Sequence, residues 1–197
     1  DLHTAYRRQR QMCIRDSNVT IPHKIEMMRY LDNVDETCKK IGAVNTVLND
    51  DGILRGFNTD MDGFLEPIKR KEIQIKNSKI FLLGAGGASR AIIAGFQKEG
   101  ADNIVIANRT KENGDELARF SNDIGLDATS VQLDAMNELN SKFDFIVNAS
   151  SLGLKGEKNI IPSSLMDEQT TVYDIVYKPC LLYTSDAADD MQCVDLG

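Results

Sequence analysis

The chain has 197 residues, of which 42% are hydrophobic, enough to bury one ordinary core or two small ones. Asp and Glu number 30 against 23 Lys and Arg, giving a formal charge of −7 with no basic block, so nucleic acid and anionic membrane are poor partners. No apolar run approaches the roughly 20 residues that span a bilayer, nothing resembles a signal peptide, and Cys13, Cys38, Cys180 and Cys193 share no metal-ligand spacing. A cytoplasmic protein with free thiols and no bound metal is expected.

Residues 1–17 (DLHTAYRRQRQMCIRDS) and 181–197 (LLYTSDAADDMQCVDLG) have neither helical nor strand periodicity. They resemble translated adapter read-through at the ends of metagenomic fragments and are expected to be non-native tails. The body between them stays acidic.

Within the body, Pro22 suits the first turn of a helix whose apolar positions Ile25, Met28 and Leu31 recur at three-residue steps. A second short helix, VDETCKKIG, should stop at Gly42. AVNTVLNDDGILRGFN reads as two strands joined at 49–52, a hairpin. Next comes GFNTDMDGF, 56–64, where Thr59 or Asp60 can cap a helix that turns Met61, Phe64, Leu65 and Ile68 inward. Two aspartates in such a turn admit three readings: a calcium loop, a helix cap, or half of a catalytic pair. The calcium reading fails, because an EF-hand loop needs a closing Glu at its twelfth position and from Asp60 that position is Lys71.

From Ser78 the pattern changes to strand, glycine turn, helix, strand. KIFLLG is a continuous apolar run suited to a strand covered on both faces, ASRAIIAGFQKEG is a helix ending at Gly100, and NIVIAN is the next strand. A helix around 111–122, a short helical segment at 134–140, and strands at ATSVQL, FDFIVNAS and TVYDIVY complete the alternation. The expected fold class is α/β: a Rossmann-type, mostly parallel sheet in residues 77–180, preceded by a smaller, truncated α/β domain in 18–76. The boundary is expected in the polar stretch 69–78.

Gly84, Gly86 and Gly87 follow a strand and open a helix. A turn without side chains lets a pyrophosphate approach backbone N–H groups at the positive end of the helix dipole. The sixth position of the fingerprint is Ser89 instead of glycine. The strand NIVIAN ends in Asn108, Arg109 and Thr110 with no carboxylate; an acidic residue there would bind the ribose 2′-OH of NAD, whereas an Arg can neutralise the 2′-phosphate of NADP. The sequence therefore points to NADP. The plainer reading makes Arg109 a solvated surface residue and the glycines a tight turn.

NVTIPHK (18–24), IGAVNT (41–46), GFNTDMDGF, LLGAGGASRA, NRT (108–110), VNASSLGL (147–154) and YDIVYKP (173–179) together resemble shikimate dehydrogenase, in family order across 18–180. The resemblance implies an N-terminal substrate domain, a C-terminal NADP domain, and reduction of 3-dehydroshikimate to shikimate in the route to chorismate and the aromatic amino acids. It makes Lys24 the donor to the developing alkoxide and Asp60 the residue that orients it. Asp62 is then a bystander. By the same resemblance Thr20, Asn45 and Tyr177 contact the substrate, with Lys24 and Asp60. Glu36, the loop Gly84, Ala85, Gly86, Gly87 and Ala88, the cluster Asn108, Arg109, Thr110 and Lys111, and Ile175 near the nicotinamide contact the cofactor. His23 is expected to pack or be solvated, and Ser150 and Ser151, lacking a His partner, read as a turn and not a nucleophile.

Two departures bear on substrate recognition, and with them the chain itself is expected to turn over substrate poorly while keeping cofactor affinity. The family's Ser-x-Ser carboxylate-binding element is not found before Asn18, and its final glycine-containing segment, with a substrate-binding Gln, is replaced by 181–197. The alternatives are a quinate/shikimate dehydrogenase and a non-catalytic NADP-binding fragment. A glutamyl-tRNA reductase shares the cofactor-domain NRT but lacks NVTIPHK and GAVNT. The expected partner is a small molecule, with the chain a homodimer or monomer.

Overall fold

In a computed structural model, the described residues are 15–20, 23–150, 152, 161–175 and, for the backbone only, 192–194. Pro22, Ser151, Tyr177, Cys13, Cys180 and most of both presumed tails lie outside them. The chain divides into two compact units, the first ending at Asp60 and the second beginning at Met61.

The first unit is built on a four-stranded sheet. Its strands are β1 (Asp16–Asn18), β2 (Asn33–Val34), β3 (Thr46–Asp50) and β4 (Ile53–Phe57), in the order β1-β3-β4-β2. The hairpin β3–β4 turns at Asp51 and Gly52, both with positive φ (50° and 94°), the type I′ geometry whose twist suits adjoining strands. Gly56 of β4 lies against Leu31, Val34 and Val44, so any side chain there would collide with Leu31.

Helix α1 (Glu36–Ile41) has both ends closed locally. The Asp35 carboxylate accepts the Cys38 N–H at 2.6 Å, and Gly42, in the left-handed region, donates its N–H to the Cys38 carbonyl at 2.7 Å. Cys38, Val44 and Val47 form this unit's core with Val19, Met27, Met28, Leu31, Val34 and Leu54 packed on it.

The second unit opens with helix α2 (Asp60–Arg70), whose first residue closes the first unit. Met61, Phe64, Leu65 and Ile68 are all buried, as their spacing predicts. Phe64 meets Phe96 edge-on at 5.0 Å and Tyr173 at 4.9 Å, while Gly95 admits Phe64 and Leu65 at contact distance. This packing explains why the division falls after Asp60 and not in 69–78: the apolar face of α2 belongs to the second core.

Beyond it come β5 (Lys79–Leu83), α3 (Gly87–Lys98), β6 (Asn103–Asn108), α4 (Lys111–Asp123), β7 (Asp127–Gln132), β8 (Phe145–Asn148), β9 (Thr171–Asp174) and β10 (Gln192–Val194). All six strands are parallel, in the order β10-β9-β8-β5-β6-β7. The chain leaves β5 towards β6 and β7, then returns to β5's other side to lay down β8 and β9. The carboxyl ends of β5 and β8 thus flank a topological switch point, where ligands of such sheets bind.

Two of the expected short helices are of the 3₁₀ kind, and parts of both presumed tails pair as strands. The segment after Pro22 is a 3₁₀ helix (Glu26–Tyr30), not an α-helix; a strict three-residue apolar step matches its period, and Ile25 is 48% exposed. The 134–140 segment is likewise a 3₁₀ helix, Leu133–Glu138. Residues 16–17 and 192–194, set aside with the tails, form strands β1 and β10. Edge pairing is made by backbone groups and needs no alternation of side chains; those of β1 are exposed throughout. No helix among the described residues is long and apolar enough to cross a membrane.

Burial, with Asp35 beside it, pushes the Cys38 thiol up to about 12. The folded state thus holds this proton more tightly, so the stabilisation is complete below the ordinary thiol value of 9.0 and is lost as pH rises towards about 12. We predict that Cys38 is alkylated at least ~10²-fold more slowly in the native chain than in urea at about pH 8, read by peptide mass analysis. Equal rates would contradict its burial.

Candidate active site

The first unit gathers three polar side chains from distant points of the chain. Lys24 is held by its carbonyl, which accepts the Val44 N–H at 2.9 Å; Asn45 by its N–H on the Phe57 carbonyl at 3.0 Å and its carbonyl under the Val19 N–H at 2.7 Å. Asn58, 3% exposed, spans the gap to the helix: its amide donates to the Ala43 carbonyl at 3.0 Å and its oxygen accepts the Asp60 N–H at 3.0 Å. Asn58 thus takes the N–H at the helix start and leaves the Asp60 carboxylate free to turn inward.

That carboxylate is gripped on both oxygens. Lys24 Nζ donates to Oδ2 at 2.6 Å and Asn45 Nδ2 to Oδ1 at 2.7 Å. The Lys24 and Asp60 side chains are only 14% and 26% exposed, so the pair is screened less than a surface ion pair and remains reachable. At the first residue of α2, the negative charge also faces the positive end of the helix dipole.

Asn45 is fully committed. Nδ2 also donates to Thr59 Oγ1 at 2.9 Å, and Oδ1 accepts from the Thr59 N–H and from Thr46 Oγ1, both at 3.0 Å. An amide has two donors and two acceptor sites, so a substrate hydroxyl at Asn45 must displace one of these partners. Thr20 is exposed, and its hydroxyl makes no hydrogen bond to the described residues. His23 is also exposed and makes no side-chain contact to the Lys24–Asp60 pair. Glu36, on the first turn of α1, pairs with Lys39 at 2.6 Å.

In the second unit, Gly84 carries a φ of +106°, and a Cβ there would stand 2.9 Å from the Ala149 carbonyl and the Ser150 nitrogen. Only glycine lets the loop after β5 lie against the turn after β8. Gly86, by contrast, has φ −94° and open space where a Cβ would go, so its backbone can be approached from outside. Ser89 is completely buried; its hydroxyl donates to the Gly84 carbonyl at 3.0 Å and accepts the Gly86 N–H at 3.2 Å.

At the end of β6, the Asn108 amide donates to the Thr110 carbonyl at 2.8 Å, and Arg109 is exposed without a hydrogen bond or ion pair among the described residues. Lys111 is engaged instead, donating to both Asp115 oxygens at 2.8 and 2.7 Å. Lys111 and the Ser130 hydroxyl together hold the Asp115 carboxyl below the usual range. Across β8 and β9, Asn148 donates to buried Asp174 at 3.1 Å and accepts from the Ser150 hydroxyl at 2.7 Å; the Ile175 N–H donates to its carbonyl at 3.1 Å.

The chain matches the model of the shikimate dehydrogenase substrate-binding domain over residues 1–47 and that of shikimate/quinate 5-dehydrogenase over 67–173, more than half its length. The chain belongs to the shikimate/quinate 5-dehydrogenase family. It is 57% identical over 162 residues to shikimate dehydrogenase (NADP⁺) of Nitrosopumilus maritimus, covering 82% of this chain and 59% of that relative; it thus spans about three fifths of that protein. Among solved structures it is similar to the Thermus thermophilus shikimate 5-dehydrogenase in complex with NADP(H) and shikimate (TM-score 0.75, 34% identity, 92% of this chain and 66% of that one). It is also similar to the Corynebacterium glutamicum quinate dehydrogenase in complex with NAD (TM-score 0.82, 27% identity, 100% and 71%). The substrate-domain match includes residues 1–17, which the sequence alone set aside.

For this family member, Lys24, Asn45 and Asp60 are brought together in one unit, and the glycine loop, the 108–111 cluster and Ile175 all follow strand ends in the other. Tyr177 lies outside the described residues. Sequence reasoning missed Thr59, Thr46 and Asn58 as the holders of Asn45 and Asp60, and Ser89 as a strut. The short spacing of FNTD was a usable signal for Asn58, since Asn and Asp side chains readily bond backbone two residues on.

We predict that Gly84→Ala destabilises the second unit by about 2–4 kcal/mol, from the positive φ and the contact with Ala149, lowering its Tm by roughly 5–10 °C. Gly86→Ala should leave Tm within about 2 °C, since its Cβ enters open space. Thermal melts of both variants check this; equal shifts would contradict the loop geometry.

Proposed function

We propose that the chain carries out the reaction of the NADP-dependent shikimate dehydrogenases, the reversible reduction of 3-dehydroshikimate to shikimate. The observation that carries the reading is the 2.6 Å contact between Lys24 and an Asp60 whose other oxygen is held by Asn45. A lysine kept for solubility needs no such enclosure.

The fit to NADP rests on two features of the second unit. Gly86 carries no side chain that would hold a pyrophosphate off the loop, and Arg109, just past β6, is a cation that no carboxylate among the described residues pairs with in place of a 2′-phosphate. When bound, NADPH supplies the hydride that reduces the substrate's carbonyl carbon. The chain's own task is the oxygen. As charge develops there, the Lys24 ammonium donates a hydrogen bond and then its proton; Asp60 fixes the direction of that donor and supplies a compensating negative charge. Lys24 is then reprotonated from solvent. In shikimate oxidation the same amine accepts the hydroxyl proton. Thr20 and, after exchanging a partner, Asn45 meet ring hydroxyls, as does Tyr177. Lys111 reaches the cofactor only by leaving Asp115, so the 2′-phosphate falls to Arg109. The chain acts in the cytoplasm.

A second reading, a quinate-tolerant dehydrogenase that prefers NAD, has the similarity to the quinate dehydrogenase in its favour and Arg109 against it. The test is a fluorescence titration with both reduced cofactors. A charged, partly exposed contact is worth roughly 1.5–3 kcal/mol, so Arg109→Ala should weaken NADPH by about one to two decades and leave NADH almost unchanged. Equal losses for both cofactors would exclude the 2′-phosphate assignment.

A further inference from the structure

Ser89 is the place where this loop departs from the all-glycine fingerprint, and it is the residue that closes the loop. Its hydroxyl has one hydrogen, given to the Gly84 carbonyl at 3.0 Å, and it accepts the Gly86 N–H at 3.2 Å. Gly84 is meanwhile anchored behind by its own N–H on the Ala107 carbonyl at 2.8 Å. The loop from 84 to 89 is therefore fixed by a completely buried side chain and has little left to rearrange. The Ser89 N–H is turned back to the Gly86 carbonyl at 3.1 Å. No described backbone bond uses the N–H of Gly87 or Ala88.

We propose that Ser89 is a positioning residue for the pyrophosphate of the dinucleotide: it locks the glycine loop in its receiving shape and takes the Gly86 N–H out of the phosphate-binding set, so that the N–H groups of Gly87 and Ala88 meet the phosphate oxygens. This rests on the NADP reading above. It differs in kind from the role of Arg109, which discriminates between dinucleotides; Ser89 acts on the part they share. A serine that only capped α3 would affect the stability of the helix and not distinguish one ligand fragment from another.

The experiment compares the complete chain with Ser89→Ala and Ser89→Cys, the latter keeping a side chain of similar size with a much weaker donor. Dissociation constants are measured for NADPH, NADH, ADP, which carries a pyrophosphate, and adenosine 2′-monophosphate, which does not. Loss of a loop-fixing hydroxyl should weaken NADPH, NADH and ADP by about tenfold each, and the 2′-monophosphate by less than about twofold. Both variants should follow this pattern, and Ser89→Cys carries the test alone if Ser89→Ala does not fold. Wild-type-like affinity of a folded variant for NADH and ADP would overturn the inference while leaving the proposed function standing. So would an equal loss for the 2′-monophosphate, which would make Ser89 a general structural residue. A wild-type chain that binds neither dinucleotide would overturn the NADP reading itself, and this inference with it.

Discussion

The Asp60 carboxylate sets the arrangement of the first unit. Three stretches of chain converge on it: the segment carrying Lys24, the entry to β3 at Asn45, and the first turn of α2. A partly buried carboxylate left without donors is disfavoured, so Lys24 and Asn45 together stabilise the inward placement of Asp60. The backbone makes that placement reproducible. Lys24 is tied to Val44, Asn45 to Val19 and Phe57, and Asp60 to Ala43 through Asn58. Because strand side chains alternate, a one-residue slip of the β3–β4 hairpin would turn Asn45 away from Asp60; the I′ turn at Asp51 and Gly52 protects the site as much as the sheet.

The second unit solves a different problem, which is how to bring backbone close to a ligand without leaving a loop free to wander. Gly84 removes the side chain that would separate the β5 loop from the β8 turn, and Ser89 ties the loop to itself. Charge is handled with equal economy. Of the two cations after β6, Lys111 is held by Asp115 and Arg109 is uncommitted among the described residues, so in the proposed function discrimination at the 2′-phosphate falls to a single planar guanidinium.

Much of this was legible in the sequence wherever local chemistry decides local structure. Asp35 and Gly42 mark the two ends of α1, the NDDG run marks the hairpin, and the spacing of Met61, Phe64, Leu65 and Ile68 marks the buried face of α2. The continuous apolar runs at 80–83 and 104–107 give the parallel strands. What stayed hidden depends on partners far away in the chain. Nothing near Asn45 says that all four of its bonding positions are taken within the protein, and nothing near Asp115 says that the Ser130 hydroxyl is waiting, although the i,i+4 spacing of Lys111 and Asp115 on α4 was a readable signal. The two-residue strand β2 and the exposed strand β1 are made by backbone pairing that leaves no side-chain pattern. The division after Asp60 was missed because it is fixed by which core α2 packs into, not by a polar linker.

In the proposed reaction Lys24 and Asp60 act as one proton-transferring unit. The measurement that tests this most directly is a double-mutant cycle on NADPH-dependent reduction of 3-dehydroshikimate, with Lys24→Ala, Asp60→Ala and both together in this chain. Each single change should lower kcat by roughly 10² or more with a smaller change in KM, and the double variant should be little worse than either. Losses that multiply would mean that the two residues work independently, and unchanged kcat in either single variant would remove that residue from the chemistry.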